Sequence, residues 1–537
     1  MMLLGQESGT LWEATGWLLT AGYIGLISII SMYGLHRYWL VFLFRKHLRQ
    51  SKRPGERFEK LPRVTVQLPM FNEEMVAERI IDAACEIDYP SDRLQIQVLD
   101  DSTDSSREIA EARCKYWANR GIDIEYLHRI DRVGFKAGAL EAGMTSVKGD
   151  LIAIFDADFV PPRDFLRKTV HYFTNPTLGM VQCKWGHLNR DDSLLTKGQA
   201  IFLDGHFVIE HTARNRSGAW INFNGTAGIW RREAIEAGGG WQHDTLTEDV
   251  DLSYRAQLAG WDFLFLPWLD CPAELPPEIN SFKSQQHRWT KGSIQTAKKL
   301  LPRIFTSNID LRIKIEAFFH LTAPMVYLYV TLLALLFYPA IYVNLNTTGS
   351  GRLTGILLGM TFFALGTVSG GFFYVISQRV QKRGLLSTLA LIPMLMAIGI
   401  GIAVNNAIAV LEALIGHDSA FVRTPKYNVQ SPPLSPSSAP ISPPTSHTHI
   451  SPPQTNKKRF GVIAIPTQKL SICLLEIAMG VYLLECIRLS MIHSRTVVSL
   501  PFLILFAAGY WYVGLTSLWW HIQAWRSSRL SMAQTAS

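Results

Sequence analysis

The sequence predicts a soluble α/β domain built on a doubly wound parallel sheet, joined to an α-helical domain with several membrane spans. Residues 62 to about 300 alternate short apolar runs with helical segments, a pattern typical of a parallel sheet covered by helices. Apolar segments of spanning length precede and follow this region. The chain of 537 residues is 48% hydrophobic and only 18% charged, which also favours a membrane part.

The first element is an apolar segment at 16–44, followed by the basic stretch RKHLRQSKR at 45–53. Positive charge beside a span marks the cytosolic side, so we expect the amino terminus outside and the following domain in the cytosol. Residues 1–14 carry no Lys or Arg, so this stretch does not fit a signal peptide.

Acidic residues end three predicted strands of the α/β region. The pattern predicts strands at 64–68, 94–99, 122–127 and 151–155, with helices at 74–87 and 105–119. The acidic residues that follow strands are Glu73 or Glu74, Asp100 with Asp101, and Asp156 with Asp158. The carboxyl ends of parallel strands meet at one edge of a sheet, where open α/β sheets bind ligands.

Asp156 and Asp158 are the sharpest candidates for a metal site. In extended backbone, positions two apart project to the same side, so both carboxylates can face one crevice. Two such oxygen ligands suit a divalent cation that carries a diphosphate. Taken alone, Asp-x-Asp fits two solvated loop aspartates equally well.

Three further stretches supply candidate residues, and each also has an ordinary structural explanation. Lys136, in FKAGAL, lies at a predicted helix start where phosphates bind, although a surface lysine would look the same. The glycine-rich FNGTAG turn, with Asn224 and Gly225, lets backbone approach a ligand, or is a plain loop. Glu248 and Asp249 begin a helix, either as a favourable first turn or, for Asp249, as a general base.

Gln285, Arg288 and Trp289, in QQHRW, share one helix face because they are spaced i, i+3, i+4. Arginine offers a fork for a diphosphate, and tryptophan offers a flat face for a sugar ring. An amphipathic helix with a buried tryptophan at the membrane surface explains the same spacing.

The carboxyl-terminal part contains apolar segments at 318–343, 354–377, 386–411, 470–491 and 499–522. A Pro/Ser-rich stretch at 431–454 is expected to be a linker. Basic residues on both sides of 386–411 are expected in the cytosol, so we predict that this segment is re-entrant or interfacial. This topology has five full membrane spans, and a topology with six spans is the alternative. The net charge is +8, but no single basic tract dominates the sequence, so nucleic-acid binding is not expected. The six cysteines do not have the paired spacing of a metal site.

Seven motifs stand in one order: QLPMFNE, QVLDDSTD, FKAGAL, IFDADF, FNGTAGIWRR, TLTEDVDL and QQHRWTKG. With them the chain resembles family 2 glycosyltransferases of the cellulose synthase superfamily, most closely the cellulose-synthase-like A and C branches of mannan and glucan synthases. The resemblance implies a GT-A fold and inverting transfer from a nucleotide sugar. FVRTPKY, at 421–427, partly matches the gating loop of cellulose synthases.

The resemblance also implies site roles. The nucleotide sugar would contact Glu73, Asp100, Asp101, Lys136, Asp156 and Arg288. Mg²⁺ or Mn²⁺ would bind Asp156 and Asp158. Asp249, with Glu248 beside it, would be catalytic as the base, and the acceptor would meet Gln285, Trp289, Asn224 and Gly225.

The expected function is processive synthesis of a β-linked glucan or mannan, with β-1,4 linkage as the family expectation. UDP-glucose and GDP-mannose both fit as donors, a glycan is the acceptor, and membrane lipid and accessory export subunits are further expected partners. A membrane transferase that adds one sugar to a lipid is the alternative, and a silent scaffold is a third, which the intact acidic set disfavours. The expected location is the plasma or inner membrane with a cytosolic catalytic domain, or the Golgi in a eukaryote.

The expected domains follow from these segments. They are a transmembrane helix at 1–44, the GT-A domain with an interfacial helix at 45–317, membrane helices with the gating-loop-like segment at 318–427, a linker at 428–460, and carboxyl-terminal membrane helices at 461–537.

Overall fold

The computed structural model describes residues 2–48, 50, 52–345, 350–417, 426–429, 469–492, 497 and 499–535. The Pro/Ser-rich stretch at 431–454 and residues 421–425 of FVRTPKY lie outside the described residues. The linker predicted there therefore stays a prediction.

One long helix, α1 (Met2–His47), leads into the α/β domain. The strands of this domain are β1 (Val64–Met70), β2 (Leu94–Asp100), β3 (Ile124–His128), β4 (Leu151–Ile154), β5 (Leu178–His187), β6 (Gly228–Arg231) and β7 (Asp262–Ala273). They form one sheet in the order β3-β2-β1-β4-β6-β5-β7. The strands predicted near 64, 94, 122 and 151 are β1 to β4, and β5 to β7 were not predicted.

The sheet is parallel except at β6. β1 pairs in parallel with β2 and β4, β2 with β3, and β5 with β7. β6 runs antiparallel between β4 and β5. The sheet predicted as parallel is therefore mixed. The FNGTAG turn at 223–228 lies at the carboxyl end of β4, where Ala227 N donates to Ile154 O at 2.9 Å. Because β6 starts at this end, it runs antiparallel to β4.

Helices cover both faces of the sheet. They are α2 (Ala77–Cys85), α3 (Ser106–Ala118), α4 (Phe135–Gly143), α5 (Phe165–Thr169), α6 (Leu194–Asp204), α7 (Thr212–Arg216), α8 (Arg232–Ala237), α9 (Glu248–Leu258) and α10 (Ile279–Thr306), with a π-helical turn at Gly205–His211. Successive β4 residues alternate between two cores, with Leu151 and Ala153 in one and Ile152 and Ile154 in the other. Burial on both faces explains the unbroken apolar run of this strand.

The remaining helices are α11 (Leu311–Thr322), α12 (Met325–Leu345), α13 (Ser350–Val380), α14 (Leu385–Gly401), α15 (Ala403–Ile415), α16 (Leu470–Ile492) and α17 (Leu500–Thr535). Within the described residues, three helical segments are long and apolar enough to cross a membrane, namely Glu13–His47, Leu470–Ile492 and Leu500–Ser527. Two bent pairs raise this number to five if each is one span: α11 with α12 at 57°, and α14 with α15 at 41°. The second bend interrupts the segment at 386–411, and whether that segment is a broken span or re-entrant stays a prediction.

Ion pairs fix α10 against α15 and α16, two helices of the candidate membrane region. Lys283 Nζ lies 2.7 Å from Glu476 of α16, and both side chains are fully buried. Lys291 Nζ and His287 Nε2 both contact Glu412 of α15, at 3.0 and 3.1 Å. The QQHRW motif is therefore held between the sheet and the membrane helices.

Candidate active site

A crevice opens where β1, β2 and β4 end, and it collects nearly all the side chains predicted from the sequence. Its lining includes Glu73, Asp101, Lys136, Asp156, Asp158, Asn224, Gly225, Glu248, Asp249, Gln285, Arg288 and Trp289. Asp100 is not part of the lining. It is 1% exposed, and its carboxylate accepts from the Tyr126 hydroxyl at 2.7 Å and from Ser102 N at 2.9 Å, contacts that shape the end of β2.

Each aspartate of the Asp-x-Asp pair contacts an ammonium group. Lys136 Nζ donates to Asp156 Oδ1 at 2.5 Å and to Gly225 O at 2.9 Å. Lys426 Nζ donates to Asp158 Oδ2, also at 2.5 Å. Burial lowers the pKa of each lysine, but the neighbouring carboxylates outweigh this effect, so both pKa values stand above the usual value.

The residues around Asp156 and Asp158 fit a divalent cation that arrives with a diphosphate. Among the described residues, no cluster of three or more His, Cys, Asp or Glu side chains could hold a metal ion by itself. Two carboxylates therefore leave room for oxygen ligands from the substrate, the arrangement that Mg²⁺ and Mn²⁺ adopt with phosphates. The two lysines offset the carboxylate charges in the structure described here.

Two arginines that the sequence reasoning missed lie beside Asp101, Arg132 in the crevice lining and Arg129 next to it. Arg129 makes a bidentate pair with Asp101, with Nε to Oδ1 at 2.8 Å and Nη2 to Oδ2 at 2.6 Å. Arg132 lies in the lining, with its guanidinium 3.2 Å from the centroid of the Phe71 ring. Asp101 therefore meets a ligand as a charge-neutralised pair.

Glu248 and Asp249, at the start of α9, line the crevice on another side of Lys136, whose Nζ lies 4.0 Å from Glu248 Oε1. Burial and then the charge of Glu248 raise the pKa of Asp249 to about 7, against the lowering effect of Lys136. Asp249 Oδ1 accepts from Val250 N at 2.9 Å, whereas the side chain of Thr247 makes no capping bond. A carboxyl group with this pKa can take up a proton at neutral pH.

The FNGTAG turn brings backbone close to Asp249. Gly225 has φ +80°, and a Cβ there would lie 3.2 Å from Asp249 Oδ2 and 3.4 Å from Lys136 Nζ, so a side chain would be both strained and crowded. Asn224 is held by two histidines of the π-helical turn, with contacts of 3.0 Å to His206 Nε2 and 2.8 Å to His211 Nε2. The turn is thus a rigid part of the crevice wall.

The α10 face presents Gln285, Arg288 and Trp289 to the crevice, as the i, i+3, i+4 spacing predicted. Trp289 packs against Trp185, with ring centroids 6.3 Å apart and planes tilted by 57°. His287, on another face of the helix, contacts Glu412 instead. The helix therefore presents a cation and an aromatic face side by side.

Residues 426–429, termed the strap, lie against Glu274 and Arg79 and bring Lys426 into the crevice lining. Glu274 accepts from Tyr427 N at 3.0 Å and from Val429 N at 2.9 Å. Arg79 pairs with Glu274 at 2.8 Å and donates to Val429 O at 3.1 Å. The strap thereby places Lys426 on Asp158.

Sequence reasoning missed Arg79, Glu274, Arg129 and Arg132. Arg79 and Glu274 are 195 positions apart and meet only because the fold joins α2 to the end of β7. A single sequence contains no signal for such a pair. Arg129 follows β3 and faces an acidic strand end, so charge complementarity at the predicted sheet edge could have identified it.

Comparison with known proteins places residues 62–292 in the family described as "Glycosyltransferase like family 2". Glucomannan 4-beta-mannosyltransferase 9 of Arabidopsis thaliana is 45% identical over 264 residues, covering 48% of this chain and 50% of the relative. Glucomannan 4-beta-mannosyltransferase 1 of Cyamopsis tetragonoloba is 41% identical over 263 residues, with the same two coverages. The matched segment thus spans about half the length of these curated relatives.

A solved structure shares the fold. "Mannosyltransferase PcManGT from Pyrobaculum calidifontis in complex with GDP-Man and Mn2+" aligns with a TM-score of 0.50 and 21% identity, over 76% of this chain and 100% of that chain. This likeness confirms the GT-A fold. The predicted resemblance to family 2 enzymes is also confirmed, on the side of the mannan synthases.

Proposed function

We propose, on the premise that residues 62–292 are a family 2 glycosyltransferase domain, that this chain is a processive inverting transferase that makes a β-1,4-linked mannan or glucomannan at a membrane. One observation supports the proposal most directly. A single crevice contains the Asp-x-Asp pair, a carboxyl group suited to act as a base, and the QQHRW helix face, directly beside the membrane helices.

We propose GDP-mannose as the donor. The relatives with matched catalytic segments are named glucomannan 4-beta-mannosyltransferases, and the solved neighbour is described with GDP-Man and Mn²⁺. The nucleoside would meet Glu73 and the Asp101–Arg129 pair, with the planar guanidinium of Arg132 beside them. UDP-glucose remains the competing donor.

The diphosphate would bind at the Asp-x-Asp end. Asp156 and Asp158 would hold Mg²⁺ or Mn²⁺, and the cation supplies charge stabilisation for the departing diphosphate. Lys136, at the start of α4, and Arg288, on α10, would bind the phosphate oxygens and offset the negative charge that develops on them.

Bond formation would occur at the Asp249 end. The acceptor hydroxyl oxygen attacks the anomeric carbon while the bond from that carbon to the diphosphate oxygen breaks. Asp249 accepts the hydroxyl proton, and the nucleoside diphosphate departs with the bonding electrons. One displacement inverts the anomeric centre without a covalent enzyme intermediate, and positive charge on the sugar ring develops beside Glu248.

The acceptor would be a glycan end that stays bound between transfers. Trp289 would stack on the terminal sugar ring, with Gln285, Asn224 and Gly225 as neighbours. An aromatic face tolerates sliding, whereas directional hydrogen bonds oppose it. Because α10 is tied to α15 and α16, the growing chain could pass from this site to the membrane helices.

We further propose the domain limits and topology predicted from the sequence. The catalytic domain at 45–317 faces the cytosol between α1 and the later membrane helices, and residues 1–14 lie outside. Accessory export subunits and membrane lipid are the expected partners.

The test uses the purified full chain in lipid nanodiscs with a panel of radiolabelled nucleotide sugars. The proposal expects GDP release from GDP-mannose and a polymer that an endo-β-1,4-mannanase degrades. A single-sugar product that extracts into organic solvent and resists the mannanase would support transfer to a lipid instead. If only UDP-glucose gives polymer, the product is a glucan and not a mannan. If no donor releases its nucleotide, the result supports a silent scaffold.

A further inference from the structure

A second cavity, of about 540 Å³, lies at the edge of the sheet opposite the crevice. It contacts Leu178 and Asp262, the first residues of the parallel strands β5 and β7, whereas the crevice lies where β1, β2 and β4 end. No step proposed for the transferase uses this cavity.

The cavity lies close to two places where the chain meets the membrane helices. Lys52 and Arg53 line it shortly after α1 ends, and Ile313 of α11 lines it just before α12. α11 exposes Leu311 (67%) and Ile315 (45%). Exposed apolar side chains on a helix that adjoins a candidate span are typical of a helix lying in the membrane interface.

Positive charge dominates the surroundings of the cavity. Arg216, 9% exposed, lies behind the wall and donates to Asn215 Oδ1 at 3.2 Å and to Phe265 O at 3.1 Å. Within the described part of the chain, the hydrogen bonds of the Arg216 guanidinium go to these two neutral oxygens. Burial, followed by the charge of Arg216, lowers the pKa of Lys52, and Asp262 opposes this only in part. A buried cation with only neutral partners is costly, and an anion in the cavity would offset that cost.

Arg231, behind the lining, adds a further cation whose hydrogen bonds go to neutral oxygens, while Glu233 and Asp150 lie near enough to favour its charge. It donates to the backbone oxygens of Leu178, Phe173 and Asn175, at 3.0, 2.9 and 3.0 Å. Asp262 is the carboxylate in the lining, and its Oδ2 accepts from the Thr177 hydroxyl at 2.7 Å. The lining therefore contains two cations, Lys52 and Arg53, and one carboxylate, with Arg216 and Arg231 behind it.

We propose that this cavity binds the phosphate headgroup of an anionic lipid from the cytosolic leaflet. Lys52 and Arg53 would contact the phosphate, and Asn175, Asn215 and Gln257 offer hydrogen bonds to the polar part of the headgroup. Trp220 and Trp261 supply amphipathic rings, which are enriched at membrane interfaces. A soluble phosphate compound shares the anion chemistry but would gain nothing from the apolar face of α11.

The experiment titrates the purified full chain in neutral detergent with short-chain phosphatidic acid, short-chain phosphatidylcholine and glycerol phosphate, following the melting temperature and lipid retention in native mass spectrometry. We expect saturable stabilisation by phosphatidic acid and one retained anionic lipid. Lys52→Gln/Arg53→Gln should weaken the binding about 30-fold, from about 1 kcal/mol per basic residue. The matched control is Arg45→Gln/Lys46→Gln, a basic pair outside the cavity lining, which should change it little.

A second variant keeps the test independent of the exposed basic pair. Asn175→Asp is isosteric, keeps the oxygen that accepts from Thr177 N, and adds a negative charge to the wall, so it should also weaken phosphatidic acid binding. Equal losses in the cavity and control variants would overturn the proposal in favour of general attraction by the basic flank. If glycerol phosphate stabilises the protein as strongly as phosphatidic acid does, the ligand is a soluble phosphate compound and not a lipid. None of these outcomes depends on the proposed transferase activity.

Discussion

Two pairs of carboxylates face one crevice, and the charges around them differ. Asp156 and Asp158 each contact an ammonium group at 2.5 Å, from Lys136 and Lys426. Asp249 lies beside a second carboxylate, Glu248, and burial together with that like charge raises its pKa to about 7. Lys136 lies near both pairs, 2.5 Å from Asp156 and 4.0 Å from Glu248, but it contacts the first pair directly and only partly offsets the burial of Asp249.

This difference indicates that burial and neighbouring charges, more than the residue type, decide the chemistry of a carboxylate. A pair that already compensates cations is suited to exchange them for a metal and a diphosphate. A carboxyl group that burial and a like charge push towards neutral pKa is suited to accept a proton. The following predictions test this division between a metal end and a base end.

The largest effect is expected at the base end. Asp249→Asn should keep donor binding and lower the turnover rate by a factor of about 10² to 10⁴, the usual scale for loss of a general base. Single-turnover kinetics and donor-binding titration measure the two quantities. Asp244→Asn, an exposed position just before α9, is the control and should keep most of the rate. If Asp249→Asn weakens donor binding and leaves the rate of bound donor unchanged, the carboxylate belongs to the donor site.

At the metal end, chelation should abolish turnover and Asp158→Asn should lower it about 100-fold, because the metal contributes several kcal/mol of charge stabilisation. Steady-state rates across a Mn²⁺ series measure the effect. Part of the lost activity should return at high Mn²⁺, since Asp156 remains. Full activity of Asp158→Asn in a chelator would show that the crevice works without a metal.

The raised pKa of Asp249 predicts two pH dependences. The base is active only when ionised, so kcat/KM, which reports the free enzyme, should fall about tenfold from its plateau to pH 6, with a midpoint near 7. An acid whose folded pKa exceeds its unfolded pKa contributes stability below the unfolded value and loses it as pH rises through the folded value. Asp249→Asn should therefore raise the melting temperature at pH 8 and leave it nearly unchanged at pH 4. A lower melting temperature at pH 8 would instead indicate that Asp249 serves chiefly to cap α9.

Lys426 and a metal compete for Asp158 Oδ2. In the absence of donor, Lys426→Gln should tighten Mn²⁺ binding about tenfold, because a charge-assisted hydrogen bond contributes about 1.5 kcal/mol. Electron paramagnetic resonance of free Mn²⁺ measures the affinity. Lys148→Gln is the control, since Lys148 pairs with Asp123 on the surface, away from the crevice. Weaker Mn²⁺ binding in Lys426→Gln would mean that the strap assists the metal.

The smallest effect on rate is expected at Trp289. Trp289→Ala should lower the initial rate only a few-fold, because the base and the diphosphate ligands remain, yet it should shorten the polymer. Size-exclusion chromatography of radiolabelled product measures chain length. Trp268→Ala, an exposed tryptophan outside the crevice, should leave both quantities unchanged. A product of normal length from Trp289→Ala would place the sliding contact elsewhere.

Local patterns were sufficient for the first half of the sheet and for most of the candidate site. β4 is an unbroken apolar run, and β1 and β2 alternate apolar residues with buried threonine and glutamine. Acidic residues follow all three strands, and this combination predicts them. β5 and β6 lack such an ending, and β6 is only four residues long. β7 is followed by Glu274, but its start and end are not marked by an unbroken apolar run. Asp100 was predicted as a site residue but is not one of the crevice residues. Its neighbour Asp101 faces the crevice, whereas Asp100 accepts a hydrogen bond from Tyr126 of β3.

The sequence by itself determined which residues could carry the chemistry: the Asp-x-Asp pair, the acidic start of α9 and the QQHRW face all follow from short-range spacing. Only the tertiary structure decided what surrounds them. Lys426 reaches Asp158 across 268 positions, and Arg79 meets Glu274 through the fold of α2 against the end of β7. Spacing within a strand or helix is set by backbone geometry and is therefore readable from sequence. Charge surroundings depend on through-space distances between remote segments, so the difference between the metal end and the base end exists only in the folded chain.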